Sequence, residues 1–158
     1  MDDDFAAQVV SQGDDPRLRE ILEEVCRITG MGFAAIARVT EERWIACQVV
    51  DKIEFGLDAG DELDLKTTIC NEIRASGQKV LIDHVAGNPT WRTHHIPALY
   101  GFESYASLPV LLDDGSFYGT LCAIDPAPRT VSAPAIVAAL EGFAARVGEI
   151  LSRRTGPA

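Results

Sequence analysis

The chain has 158 residues, of which 47% are hydrophobic and 24% charged, a composition typical of one globular domain rather than a disordered or fibrous protein. Its formal net charge of −10 argues against nucleic acid and anionic membranes as partners, because both require clustered Lys and Arg. The four cysteines form no C-x-x-C pair, the opening MDDDF does not resemble a signal peptide, and no apolar run is long enough to span a membrane, so we expect a cytoplasmic protein with mainly buried, unpaired cysteines.

Residues 1–14 are polar and acidic, and we expect them to be a flexible lead outside a single domain at residues 15–154. The first predicted helix follows this lead, since Asp15 can cap it with Pro16 at its first position. Apolar residues recur along it at three- and four-residue spacing until Gly30: Leu18, Ile21, Leu22, Val25 and Ile28.

Two short runs of apolar residues, 33–39 and 44–50, predict a first hairpin around the polar connection 40–43. Strict alternation along the second strand divides its side chains between two faces. One predicted face holds Trp44, Ala46, Gln48 and Val50, and the other holds Ile45, Cys47 and Val49.

The acidic segment 51–65 shows no sustained period and is predicted to be a loop. A second helix is predicted over 65–75, ending at Gly77, and a short strand over 80–82. The connection 85–101, VAGNPTWRTHHIPALYG, is dense in Asn, Pro, Gly and aromatic rings. Long ordered connections of this kind are often functional, so it is our candidate for a ligand lid.

A second hairpin is predicted from residues 102–112 and 117–124, joined by the turn at Asp113, Asp114 and Gly115. The arm 117–124 is almost continuously apolar, which favours a central strand covered on both faces. Asp125 and Pro126 should end it, because proline cannot donate to the ladder.

The last predicted helix runs from about 132 to 154, with Ser132 as its cap. Its apolar residues follow a heptad-like spacing, which every helix packed on a sheet shows but which also suits a partner chain. We expect a homodimer formed by a bundle of the first and last helices. The residues predicted at its interface are Leu18, Leu22, Val25, Leu140, Val147 and Leu151.

Three segments, TTICNEIRASGQKVLIDHV (67–85), NPTWRTHHIPALYGFESYASLPV (88–110) and GTLCAIDPAPR (119–129), resemble the GAF domains that precede histidine kinases and diguanylate cyclases in bacteria. The resemblance covers about residues 15–152. It implies an α+β fold related to PAS domains: a six-stranded antiparallel sheet with the first, second and last helices on one face. It also implies a pocket on the other face, roofed by the connections 51–65 and 85–101.

Members of this family bind small molecules in that pocket, so the resemblance implies a sensory or regulatory domain with an unidentified ligand. The expected output partner is a histidine kinase or a cyclase domain. Aromatic side chains would form the pocket walls, and a few polar groups would orient the ligand. The candidate ligand-binding residues are Trp91, Arg92, His95, Tyr100, Phe102, Tyr105, Ser107 and Cys70.

Two other functions remain open. A thiol enzyme similar to the free methionine-R-sulfoxide reductases would need a reactive Cys70 and a second thiol, such as Cys122, within reach. A dimerisation domain without a ligand would need neither. Covalent bilin attachment and a metal site are disfavoured, because Cys70 is followed by Asn71 rather than histidine and because adjacent His94 and His95 cannot easily bind one ion.

Overall fold

The computed structural model describes residues 4–63, 69–92 and 101–155. Within them the helices are α1 (Asp4–Gly13), α2 (Pro16–Thr29), α3 (Cys70–Ser76) and α4 (Pro134–Thr155). The strands are β1 (Phe33–Val39), β2 (Trp44–Asp51), β3 (Glu62–Leu63), β4 (Val80–Ile82), β5 (Ser104–Leu111) and β6 (Phe117–Asp125).

The six strands form one antiparallel sheet in the order β3-β2-β1-β6-β5-β4. Both predicted hairpins and the α+β fold are confirmed. Strand β6 lies between β1 and β5 and is buried along almost its whole length, which matches its continuously apolar sequence. In the register, Cys122 of β6 stands opposite Ala35 of β1 and Ser107 of β5.

The sheet separates two apolar cores. Helices α1, α2 and α4 cover one face, whereas α3 packs on the other face with the segment that follows β2. The expectation that the second predicted helix joins the terminal helices on one face is therefore wrong. Its residues Ile69, Cys70 and Ile73 are buried against the opposite face of the sheet.

A β-bulge at Cys47 changes which side chains of β2 face each core. The pairing register of β1 and β2 shifts at this point, so the alternation of sides restarts after it. Val50 consequently packs with Cys47 on the helix-covered face, while Val49 packs with Trp44 on the other face. The prediction that Trp44 and Val50 share one face is wrong for this reason.

The segment predicted to be a flexible lead contains helix α1. Phe5, Val9 and Gly13 follow one another at four-residue spacing, and Val9 is fully buried against the core. Gly13 approaches the backbone of Cys47 so closely that any Cβ atom would overlap it. The acidic residues before Phe5 did not suggest a helix, yet a short amphipathic helix forms in this segment and packs on β2.

Three boundaries also differ from expectation. The predicted loop 51–65 contains β3, in which Leu63 pairs with Trp44. Helix α3 begins at Cys70, and residues 64–68 lie outside the described part of the chain. Ser132 does not cap α4: its hydroxyl donates to the Asp83 carboxylate at 2.6 Å, and the helix begins at Pro134.

The six residues predicted at a dimer interface lie inside the core of the single chain. Helices α2 and α4 pack against each other and against the sheet, and this contact buries all of the predicted side chains. Their exposed fractions are 1% or less: Leu18, Leu22, Val25, Leu140, Val147 and Leu151. They are not available to a partner in this fold, so a dimer would have to use other faces of these helices.

Asp15 is predicted to contribute to stability through its charge as well as through its role as the N-cap of α2. Arg17 donates to it from its backbone and its guanidinium at 2.8 to 3.0 Å, and these bonds lower the pKa of Asp15 from 3.8 to about 2. A lowered pKa stabilises the fold above the unfolded pKa and ceases to do so as the pH falls to the folded value.

We therefore expect Asp15→Asn, which keeps a capping side chain, to lower the free energy of unfolding by about 1 kcal/mol at pH 7. Urea titrations at several pH values measure this difference. It should shrink between about pH 4 and pH 2. A difference that is constant over that range would show that the carboxylate charge contributes nothing.

Candidate functional site

A small cavity lies between α3 and the sheet, on the face opposite the terminal helices. Its volume is about 50 Å³, several times that occupied by one water molecule. The walls are almost entirely apolar. They are formed by Phe33, Trp44, Phe55, Leu57, Leu63, Ile69, Cys70, Phe102, Tyr105, Cys122 and Ile124.

Polar side chains surround the thiol of Cys70 beneath this cavity. Cys70 is the first residue of α3, and its sulfur reaches the sheet where β5 and β6 pair. Its Sγ lies 3.1 Å from Thr120 Oγ1, 3.6 Å from the Tyr105 hydroxyl and 3.8 Å from Ser107 Oγ. Three hydroxyl groups thus converge on one sulfur, and Cys122 lines the same cavity.

Trp44 adds a donor to the cavity that has no partner. Its indole is 3% exposed, and its Nε1 is a buried polar atom without a hydrogen-bond partner. The indole lies close enough to Cys70 to favour the thiolate, but without the geometry of a hydrogen bond. A buried N–H left unpaired costs free energy, so the fold retains a donor that a bound acceptor could satisfy.

The two thiols of the cavity differ in acidity. The neighbouring Cys122 thiol, together with the Thr120 and Tyr105 hydroxyl groups, lowers the pKa of Cys70 against the opposing effect of burial. The neighbouring Cys70 thiol and burial raise the pKa of Cys122. Burial also raises the pKa of Tyr105, so its hydroxyl remains a donor. Cys70 is therefore the thiol of this pair that ionises first.

The structure brings four of the predicted ligand-binding residues together. Phe102 and Tyr105 line the cavity with their rings stacked at 5.1 Å, Cys70 also lines it, and Ser107 lies at its floor. Trp91 packs at the edge of the same apolar cluster. The other three are not brought to the cavity by the described structure: Arg92 is exposed, and His95 and Tyr100 lie outside the described residues.

Sequence reasoning missed Trp44 and Thr120, whereas it named Cys122 as a thiol that could reach Cys70. Trp44 and Thr120 lie on strands, where they resemble ordinary core residues. Alternation in β6 did carry a signal, because Thr120 and Cys122 occur two residues apart and so point to the same face. Their proximity to Cys70, in contrast, depends on the side of the sheet that α3 covers.

An open groove of about 510 Å³ adjoins the cavity and shares Phe55 and Phe102 with it. The charged residues in its described lining are Glu54 and Asp125, both acidic. The Asp125 carboxylate already accepts from the backbone N–H groups of Gly32 and Ala127 at 2.9 Å. Within the described lining, the groove therefore offers no cation for an anionic ligand.

No group of three or more His, Cys, Asp or Glu side chains in the described residues is arranged to hold a metal ion. None of the helices in this part of the chain combines the length and the apolar character needed to cross a bilayer.

Comparison with known proteins assigns the fold to a family. The chain is similar to the GAF domain of an Acinetobacter phosphoenolpyruvate-protein phosphotransferase (12% identity, TM-score 0.68, covering 97% of this chain and 96% of that one). It is similar to a type II free methionine-R-sulfoxide reductase from Thermoplasma acidophilum (12% identity, TM-score 0.65, covering 87% of this chain and 92% of that one). It also resembles a far-red absorbing protein with bound biliverdin IXa (15% identity, TM-score 0.68, covering 94% of this chain and 98% of that one).

No curated protein sequence matches the chain. The solved structures share too little sequence identity to show more than the fold. The family model described as "GAF domain" matches residues 15–151, which is most of the chain. The resemblance in the sequence is thereby confirmed, and the chain belongs to the GAF domain family.

Proposed function

We propose that this chain is a non-catalytic sensory or regulatory domain that binds a small, uncharged molecule in the cavity beneath α3. The unpaired Nε1 of Trp44 is the observation that carries the proposal. A ligand with a hydrogen-bond acceptor would satisfy this donor and recover the free energy that an unpaired buried N–H costs.

The lining of the cavity restricts the chemistry of the ligand. Its apolar walls favour a compact hydrophobic body, and its floor offers hydroxyl, thiol and indole groups rather than charges. About 50 Å³ holds a small fragment, so a larger ligand would extend into the adjoining groove. The acidic groups there disfavour an anion such as a cyclic nucleotide.

The signal would pass through the sheet to the terminal helices. Strands β5 and β6 contribute Ser107 and Thr120 to the cavity floor, while neighbouring residues of the same strands pack under the helices. Arg154 near the end of α4 donates to the carbonyl oxygens of Ser11 and Gln12 in α1 at 2.8 to 2.9 Å. A ligand that prefers one packing of these elements shifts the equilibrium by its differential affinity.

In this proposal the domain works in a bacterial cytoplasm as a homodimer and controls a histidine kinase or cyclase output domain. The dimer contact would use the exposed faces of α2 and α4, because their apolar stripes are occupied within the chain. The connection 85–101 acts as the lid of the site. Native mass spectrometry of freshly purified protein tests the bound ligand and the dimer in one experiment.

Trp44→Phe is the variant that tests the ligand proposal. It removes the donor and keeps an aromatic ring, so we expect about tenfold weaker retention of the co-purified ligand in a native mass spectrometric dilution series. The ligand-free variant should lose less than about 1 kcal/mol of stability, since lost packing and removal of an unpaired donor oppose each other.

Tyr118→Phe is the matched control, because it also removes a donor from a buried aromatic side chain, and Tyr118 lies in the core on the other face of the sheet. Its ligand retention should equal that of the unmodified protein. Equal retention in Trp44→Phe would remove the proposed role of the indole donor. A chain that carries no releasable mass under any purification condition would favour an interaction domain without a ligand.

A thiol reductase is the second candidate, and it is supported by the presence of Cys70 and Cys122 in the lining of one cavity. This reaction would reduce free methionine-R-sulfoxide and leave the two thiols as a disulfide. Turnover of that substrate with dithiothreitol, lost in Cys70→Ser, would establish the enzyme. Absence of turnover in the reduced protein would rule out the reductase function and leave the sensory proposal intact.

A further inference from the structure

Two buried thiols from different elements meet in the cavity, and ligand binding requires neither to react. Cys70 opens α3 and Cys122 lies in the central strand β6, with exposed fractions of 3% and 7%. Both line the same small space, and Cys122 follows in β6 two residues after Thr120, whose Oγ1 lies 3.1 Å from the Cys70 Sγ. Structural buried cysteines are more often surrounded by apolar groups alone, whereas this pair sits among three hydroxyl groups and an unpaired indole N–H.

We propose that Cys70 and Cys122 form a redox-sensitive dithiol that small hydroperoxides convert to an intrachain disulfide, with Cys70 as the attacking sulfur. The proposal goes beyond ligand binding and does not depend on it. It assigns to this cavity an oxidation site for hydrogen peroxide and other small hydroperoxides.

The surroundings of Cys70 suit it to the attacking role. Thr120 Oγ1 at 3.1 Å and the Tyr105 hydroxyl at 3.6 Å can both donate to a thiolate. These hydroxyl groups can also deliver a proton to the departing oxygen. The Trp44 N–H has no competing partner and can donate to a peroxide oxygen held above the sulfur.

The reaction balances in two steps. The Cys70 thiolate attacks one oxygen of the hydroperoxide, so an S–O bond forms, the O–O bond breaks, and the other oxygen leaves as an alcohol, or as water from hydrogen peroxide, after taking a proton. The sulfur is oxidised to sulfenic acid and the hydroperoxide is reduced. Cys122 then attacks the Cys70 sulfur, the S–S bond forms, the S–O bond breaks, and water leaves with the Cys122 proton.

The size of the cavity selects the oxidant. A space of about 50 Å³ admits hydrogen peroxide, which is little larger than water. The other two thiols are less reactive: burial raises the pKa of Cys26, and it raises that of Cys47, which lies beneath α1, to about 11. Oxidation should therefore be selective for the cavity pair.

The disulfide would tie α3 to the centre of the sheet. Cys70 would exchange its contact with Thr120 for a covalent bond to β6, and the two sulfurs would occupy the cavity floor. The oxidised protein would thus present a different surface to any ligand. Reduction by a dithiol restores the original site.

The test uses the unmodified full chain, reduced, freed of reductant and treated with a small excess of hydrogen peroxide. Remaining thiols are blocked with N-ethylmaleimide in denaturant and counted by intact mass, and linked peptides are mapped. We expect two of the four thiols to disappear and a Cys70–Cys122 peptide to form, at least about tenfold faster than oxidation at Cys26 or Cys47. Dithiothreitol should reverse the change.

Cysteine variants show which thiol attacks the hydroperoxide and which one then attacks the sulfenic acid. In Cys122→Ser, dimedone should label Cys70 as sulfenic acid, whereas Cys70→Ser should give neither label nor linked peptide. Cys26→Ser, a matched change of a thiol outside the cavity, should behave as the unmodified protein. Four intact thiols in the unmodified protein, first oxidation at Cys26 or Cys47, or a disulfide between chains would each overturn the proposal, whether or not the variants fold.

Discussion

Gly148→Ala is expected to lower the free energy of unfolding by about 2–4 kcal/mol, although alanine is the better helix former. Gly148 lies on the buried side of α4, where the helix crosses β5. A Cβ atom there would overlap the carbonyl oxygen of Leu111, which is backbone and cannot rotate away. The helix must therefore shift off the strand, and the packing of α4 on the sheet is lost in part.

Gly142→Ala is the matched control on the same helix. A Cβ atom at Gly142 meets no other atom within 4 Å, so this variant should gain about 0.5–1 kcal/mol from helix propensity. Urea titration of the three proteins measures both changes with one method. Equal stability of the two variants would show that α4 does not approach β5 as closely as described.

The hairpins could be predicted from the sequence because their signals are local. The apolar run at residues 33–39 and the turn at Asp113, Asp114 and Gly115 each lie within one stretch of chain, and the structure contains both hairpins. The bulge at Cys47 could not be predicted, since an added residue leaves no mark in composition. The bulge reversed the face of the sheet to which each later side chain of β2 points.

The arrangement of the helices required the tertiary structure. An apolar stripe shows that a helix buries one face, but it does not tell a sheet from a partner chain. The apolar stripes that contain Leu22 and Leu140 therefore predict a dimer contact, whereas both stripes are buried within the single chain. The sequence also does not show which side of the sheet α3 covers, because the short apolar pattern of this helix fits either core.

The candidate site also combines residues that the sequence could predict with residues that it could not. Phe102 and Tyr105 follow the ring-rich connection and were predicted to line a pocket from that neighbourhood. Trp44 and Thr120 come from distant strands, and they join Cys70 only when β2, β6 and α3 are assembled. Chemistry that depends on three separated elements leaves no contiguous motif.

The pH dependence of Cys70 oxidation tests the physical cause of its reactivity. The thiolate is the attacking form, so the rate falls about tenfold per pH unit below the pKa of the thiol and levels off above it. Because hydrogen bonds lower the pKa of Cys70, its plateau should begin at a lower pH than in the same chain unfolded in denaturant. Cys47, whose pKa is raised to about 11, should still be accelerating at pH 9.

Cys122→Ala should move the Cys70 profile to higher pH, because the neighbouring Cys122 thiol is the largest cause of the lowered pKa of Cys70. The measurement is the loss of alkylatable Cys70 after brief exposure to hydrogen peroxide between pH 5 and pH 9, a first step that needs no resolving thiol. Cys26→Ser provides the control and should leave the profile unchanged. A profile that Cys122→Ala does not move would show that Cys122 only resolves the sulfenic acid, whereas an upward shift would show that it also activates its partner.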